Sequence, residues 1–234
     1  NILVKEDEIT EVEFMLDTKT LSLDEVKISA INPQHQNVIS NITLQLRNIN
    51  NSQEVLRIIP GLVIGQHAGG GKAEQIFLRG FDIDHGTDIA LSVDGMPINM
   101  VSHAHGQGYA DAHFIIPELI ENVAFKKGMY DADKGNFSTA GWANYKTKTV
   151  LDENFAKIEY GQFNSQRLVA GTNLLKAQSA YLATELVHTD AYFDAPQNFK
   201  RFNILGKYHG HVSKNTSLTL TASSFWSKWN ASGQ

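Results

Sequence analysis

Histidine is the residue whose placement stands out in this chain. There are nine, and five of them, His67, His85, His103, His105 and His113, fall in one polar, glycine-rich stretch. His103-Ala104-His105 puts two imidazoles on one side if that stretch is extended, because side chains of an extended chain repeat every two residues. With Asp82, Asp84 and Asp111 nearby, these are the donor types that hold zinc, copper or nickel. Given an open metal position and a general base, they would make a hydrolytic centre. No nucleophile–base pair is discernible, so a soluble metal-dependent hydrolase using His103, His105, Asp111 and His113 is the second reading of these residues. Gly65 to Lys72 suggests a phosphate loop. That loop requires a glycine, four residues, then Gly-Lys and Ser or Thr. Here Gln66 stands at the first position and Ala73 at the last, so the motif fails twice. The absence of cysteine removes thiol catalysis, disulfide scaffolds and cysteine-type zinc sites. A net charge of −5 argues against a nucleic-acid partner, which needs clustered Lys and Arg.

The elements that must position these groups change character along the chain. Apolar residues at 42% and charged residues at 19% suffice for a packed core. No apolar run is long enough for a transmembrane helix, whereas a membrane β-barrel hides its apolar residues by alternation. No signal peptide is visible, and Asn1 starts in mid-pattern, as in a mature chain or a piece of a longer one. Residues 1–20 read as the end of a small N-terminal β extension. Residues 21–32 hold a short extended segment running into a polar linker around Pro33. In residues 33–150 helix and strand mix. Asn51 and Glu54 form a variant capping box, an apolar face of Val55, Leu56, Ile58 and Ile59 follows, and Pro60-Gly61 ends that helix. Leu62–Ile64, Gln75–Leu78, Ile89–Val93 and Asn122–Lys127 read as strands, with turns at Asp94-Gly95 and Gly128. Asn99 to His113 is a long loop, and Pro117 opens a short helix over Glu118–Glu121.

Residues 151–234 alternate with period two. Phe202, Ile204, Gly206 and Tyr208 interleave with Asn203, Leu205, Lys207 and His209, and Leu218, Leu220 and Ala222 with Thr219, Thr221 and Ser223. About five such segments are present, near the ~9–11 residues that cross a bilayer as tilted strands. A soluble antiparallel sheet with one wet face fits the same pattern.

Four strings then occur in order: Glu54 to Gly61 (EVLRIIPG), Ile76 to Phe81 (IFLRGF), Leu91 to Ile98 (LSVDGMPI) and Ile116 to Gly128 (IPELIENVAFKKG). With Gly135 and Gly141 they resemble the plug domain of TonB-dependent outer-membrane receptors. The resemblance covers about residues 21–150 and implies an α+β plug domain followed by antiparallel strands of a large, 22-stranded transmembrane β-barrel. Such a barrel needs several hundred residues, so the expectation is a fragment of the full receptor: plug at 33–150, first barrel strands at 151–234. The sequence departs from the family pattern at Lys127-Gly128, where Arg-Gly is usual, and at Gly141 to Tyr145, where Gly-Gly and an apolar strand are usual.

The resemblance also implies roles. Leu23, Asp24, Glu25, Val26, Lys27, Ile28, Ser29 and Ala30 look like a TonB box, a loosely held strand that another protein's sheet can capture by edge pairing. Arg79, and after it Lys127, are expected to anchor the plug to acidic residues of the inner barrel wall that lie beyond Gln234. Three loops, Gly65 to Glu74, Asp82 to Asp88 and Asn99 to His113, are expected to face the outside and touch substrate through His67, Asp84, His85, His103, His105, Gln107, Tyr109 and His113. The favoured role of the imidazoles is hydrogen bonding in a polar lumen or to a chelate or sugar. Metal binding by His103 and His105 is the weaker candidate, and no cofactor is expected. The function implied is TonB-dependent uptake of a scarce nutrient (metal chelate, siderophore, cobalamin, glycan or peptide) across the bacterial outer membrane, without bond chemistry. The partners implied are TonB with its inner-membrane energising complex, the lipid bilayer, the small-molecule substrate and a surface lipoprotein. A receptor-like subunit of a larger outer-membrane assembly is a further reading.

Overall fold

In the computed structural model, residues 37–40, 44, 47, 49, 51–66, 70–175 and 180–231 are described, and they belong to one compact unit. The N-terminal β extension, the Leu23–Ala30 segment, the linker at 32–36 and His67 lie outside the described residues. Thirteen strands are described: β1 (Asn37–Ser40), β2 (Leu62–Gly65), β3 (Gln75–Leu78), β4 (Phe81–Ile83), β5 (Ile89–Val93), β6 (Met96–Pro97), β7 (Ile120–Lys127), β8 (Gly141–Thr147), β9 (Phe155–Gly161), β10 (Ser165–Asn173), β11 (Ala180–Thr189), β12 (Phe199–Ser213) and β13 (Thr216–Lys228).

Up to Thr147 the chain forms two small sheets around one apolar core. The larger has the order β1-β7-β8-β5-β6 and the smaller is the meander β2-β3-β4. Val55, Leu56, Ile76, Leu78, Ile83, Leu91, Ile115 and Val123 fill the space between them. Turn chemistry sets the punctuation. Gly61 (φ 81) follows the helical turn, and Asp94 (φ 49) and Gly95 (φ 84) close the β5–β6 hairpin in the left-handed pair that a tight hairpin demands. The Asn51 cap is present: its Oδ1 accepts the Glu54 backbone N–H at 2.9 Å. The turn it caps, Gln53–Ile58, is a 3-10 helix. The helix expected over Glu118–Glu121 shortens to a 3-10 turn at Pro117–Leu119, and Ile120 already opens β7. The reason is tertiary: Ile120 is fully buried and pairs with Thr147 across β7–β8, which outweighs three residues of helix preference. Strands β1, β4, β6 and β8 had no sequence-level counterpart.

The second part is an antiparallel meander in the order β9-β10-β11-β12-β13. Its polarity is inverted relative to a soluble sheet. One face carries Arg167, Val169, Glu185, Arg201, Asn203 and Lys207, all buried against the first domain. The other carries Ile158, Tyr160, Leu168, Leu186, Leu218, Leu220 and Trp226, all exposed. A soluble sheet with one wet face places its charges on the exposed side, whereas here the charges are covered and the apolar band is bare, the arrangement of a barrel wall facing lipid. No helix among the described residues is long and apolar enough to cross a membrane. A second apolar cluster, Ile116, Leu119, Leu151, Val169, Tyr181, Ala183 and Leu205, seals the first domain onto β10–β12.

Candidate functional site

The histidine loops gather at one end of the first domain. His85 adopts a left-handed backbone (φ 58) ahead of Gly86 (φ 113), which turns its ring inward to 3% exposure. Its Nδ1–H donates to the Ala73 carbonyl at 2.6 Å, leaving Nε2 3.2 Å from Asp84 Oδ1. Ala73 is held from its other side as well, its N–H donating to the Tyr109 hydroxyl at 2.9 Å. His103 stacks on Tyr109 with ring centres 4.0 Å apart, and His105 stacks on His103 at 5.3 Å. The His-Ala-His stretch is a turn, with Gly106 N–H donating to His103 O at 3.0 Å, so the turn and not extension puts the two rings together. The His105 N–H donates to His103 Nδ1 at 3.2 Å. Ring lone pairs lie in the ring plane, so rings stacked 29° from parallel aim theirs past one another. Among the described residues no three His, Asp or Glu side chains converge as a metal site would require. The nearby Lys72 ammonium, with some burial and the other imidazoles, holds the His105 pKa below its ordinary value. Burial raises that of Tyr109.

Other expected contacts sit differently. Gln107 and Asp84 are exposed. His113 is 4% exposed, its Nδ1 2.7 Å from Asp111 Oδ1, and its carbonyl accepts from Asn203 Nδ2 on β12 at 2.9 Å. Asp111 is pushed up by burial and pulled further down by the His113 hydrogen bond and charge, so its pKa is lowered. Asp111 and His113 thus serve each other and the sheet.

Sequence reasoning missed Asn99, which ties the three loops together. Its Nδ2 donates to the carbonyls of Gly86, Ile89 and Gly108 at 2.9, 2.9 and 3.0 Å, and its Oδ1 accepts the Leu91 N–H at 2.7 Å. Asn99→Asp keeps the shape and sets a carboxylate oxygen against three carbonyls. Amide exchange over residues 99–109 is expected to rise about tenfold or more, since each lost buried bond costs ~1–3 kcal/mol of local stability.

The partners expected for Arg79 and Lys127 belong to barrel residues beyond Gln234, so their anchoring role stays an expectation. Arg79 is exposed (φ 52) and meets no carboxylate among the described residues, and Lys127 Nζ donates to the Pro60 carbonyl at 2.8 Å. The charged contacts described between the two parts place acids on the first domain and bases on the sheet. The Glu118 carboxylate takes both Nη atoms of Arg167, at 2.8 and 2.6 Å. Arg167 also reaches Glu185 at 2.8 Å and Glu159 at 3.0 Å. Lys207 Nζ donates to Asp94 Oδ2 at 3.0 Å and to Thr147 Oγ1 at 2.6 Å. The available signal was the charge itself: ionisable residues inside strands long enough to cross a bilayer must face a partner.

A compact mixed domain bound by buried charges to the polar face of a sheet whose other face is bare and apolar defines a class: a plugged membrane barrel. The family model for the TonB-dependent receptor plug domain matches residues 31–142. The chain is 26% identical over 157 residues to the vitamin B12 transporter BtuB of Vibrio vulnificus (strain CMCP6), covering 63% of this chain and 25% of that protein. Among solved structures it is similar to the ferric citrate transporter FecA (TM-score 0.66, 13% identity, 85% of this chain and 32% of that one). It is likewise similar to the copper transporter OprC (0.63, 20%, 85% and 31%) and to the siderophore receptor PirA of Acinetobacter baumannii (0.58, 20%, 81% and 31%). The chain carries a TonB-dependent receptor plug domain at residues 31–142, followed by antiparallel strands. It spans a quarter to a third of the length of these relatives.

Proposed function

We propose that this chain gates energy-coupled uptake of a small, scarce nutrient across the outer membrane. The classes in view are metal chelates, siderophores, cobalamin, glycans and peptides. The observation that carries the reading is the plug held against the polar barrel face by Glu118–Arg167 and Asp94–Lys207, two contacts that can open without breaking a covalent bond. Substrate meets the loops bearing Asp84, His85, His103, His105, Gln107 and Tyr109. TonB captures Leu23 to Ala30 by strand addition, and a lengthwise pull yields first where local stability is lowest. The barrel wall meets the lipid bilayer through its apolar band, and no bond chemistry is assigned to any residue. The names of the relatives support the reading, since they include transporters of vitamin B12, ferric citrate and copper. Deleting residues 23–30 from the full-length receptor is expected to abolish growth on its nutrient at limiting concentration while the receptor stays at the cell surface. Unchanged growth would favour a receptor-like subunit that serves a larger outer-membrane assembly, with a surface lipoprotein as partner, without itself transporting.

A further inference from the structure

Gly70 and Gly71 lie against the same end of the sheet as the loop between β11 and β12. The Gly70 N–H donates to Gln197 Oε1 at 3.2 Å. Gln197 is 1% exposed, and its backbone joins the sheet's own turns: its N–H donates to Asp190 O at 2.9 Å and its carbonyl accepts from Asn230 N at 2.7 Å. At Gly71 the Trp229 indole occupies the space that a Cβ would fill, so a side chain there expels the ring. Two residues on, Ala73 is fully buried and gripped by the Tyr109 hydroxyl and His85 Nδ1. Tyr109 carries His103, and His103 carries His105. Every step from Trp229 to His105 is a direct contact or a run of at most two peptide bonds.

We propose that Trp229 and Gln197 are positioning residues that set the imidazole stack of the plug from the barrel wall, through Gly70 to Ala73. A shift of the barrel end that carries them moves Ala73, and Ala73 moves the Tyr109–His103–His105 stack. Occupation of the stack is felt at the barrel by the same route. Lys72 lies within this segment and is the group that most depresses the His105 pKa, which fits a segment whose place is felt at the stack. The proposal adds to the transport reading without depending on it.

The test is amide exchange by mass spectrometry on the full-length receptor, following residues 70–76, 99–109 and, as a reference for plug packing, β8. Trp229→Ala is expected to speed exchange in both 70–76 and 99–109 by about tenfold while β8 is unchanged, as for the loss of contacts that hold one local opening unit. Trp229→Phe is expected to restore both segments. Tyr109→Phe, which cuts the path at Ala73 and frees its N–H, is expected to speed exchange in 70–76. Acceleration of 70–76 alone in Trp229→Ala would overturn the coupling, and so would uniform acceleration that includes β8. Should Trp229→Ala fail to assemble, Gln197→Ala removes the Gly70 bond, and the same two-segment signature decides.

Discussion

Replacing Arg167 with methionine is expected to loosen the plug from the barrel wall by about 3–5 kcal/mol, the cost of stranding buried charges whose partner is removed. Arg167 is 7% exposed and Glu185 is fully buried. The guanidinium answers three carboxylates at once: Glu118 through a two-pronged fork, Glu185 through Nε and Glu159 through Nη1. After the substitution Glu118 keeps Lys157 at 3.4 Å, and Glu185 keeps Arg201 at 3.1 Å and Asn203 at 2.8 Å. Lysine at 167 is expected to recover part of the loss, because a point ammonium cannot span the fork. The double variant with Glu118→Gln is expected to lose less than Arg167→Met alone, since one stranded charge is gone. Urea unfolding of the plug in the full-length receptor reads these differences, and a double variant no better than the single would sink the argument.

Acid should weaken the same contact. Burial drives the Glu118 pKa up, but the Arg167 hydrogen bond and charge outweigh it, so the folded value lies below the ordinary 4.5. An acid depressed in the folded state stabilises above its unfolded pKa, and that stabilisation is lost as pH falls through the folded value.

Local chemistry made part of this fold legible. Pro60-Gly61, Asp94-Gly95 and Gly128 mark turns because backbone sterics decide them within two residues. The alternation from Phe199 to Lys228 marked barrel strands because each residue's face depends on its parity. Distance along the chain hid the rest. β8 contains Asn144 and Lys146 and gains its place by pairing antiparallel with β7, the strand before it, and in parallel with the more distant β5. Glu118 and Arg167 are 49 residues apart, and Asn99 looks like any loop asparagine until three carbonyls converge on its amide. The histidine loops were found by composition. Their stacking around Tyr109 needed the fold, because a turn and not a strand brings His103 beside His105.

Glu74→Gln is expected to stabilise the plug by about 1–3 kcal/mol at pH 8, the scale of relieving a buried, imperfectly paired polar group. Glu74 is 3% exposed. Its Oε1 is 3.4 Å from Asn51 Nδ2, a long bond, and its Oε2 has no partner among the described residues. Burial raises its pKa, and the charges of His113 and Arg57 and the Asn51 hydrogen bond only partly offset that. The folded state therefore holds its proton more tightly than the unfolded chain does. Stability is highest below the ordinary 4.5 and falls as pH rises through the folded value. Glutamine removes the ionisation, so its advantage should grow with pH and vanish toward pH 4. Glu118 has the opposite sign, so the two carboxyls limit the plug from both ends of the pH scale. Urea midpoints measured from about pH 2 to pH 8 separate them: Glu74→Gln flattens the alkaline side only and Glu118→Gln the acid side only. A Glu74→Gln plug that is less stable at every pH would mean that the carboxylate holds a partner at Oε2, and the reading of Glu74 as an imperfectly paired buried carboxyl would fail.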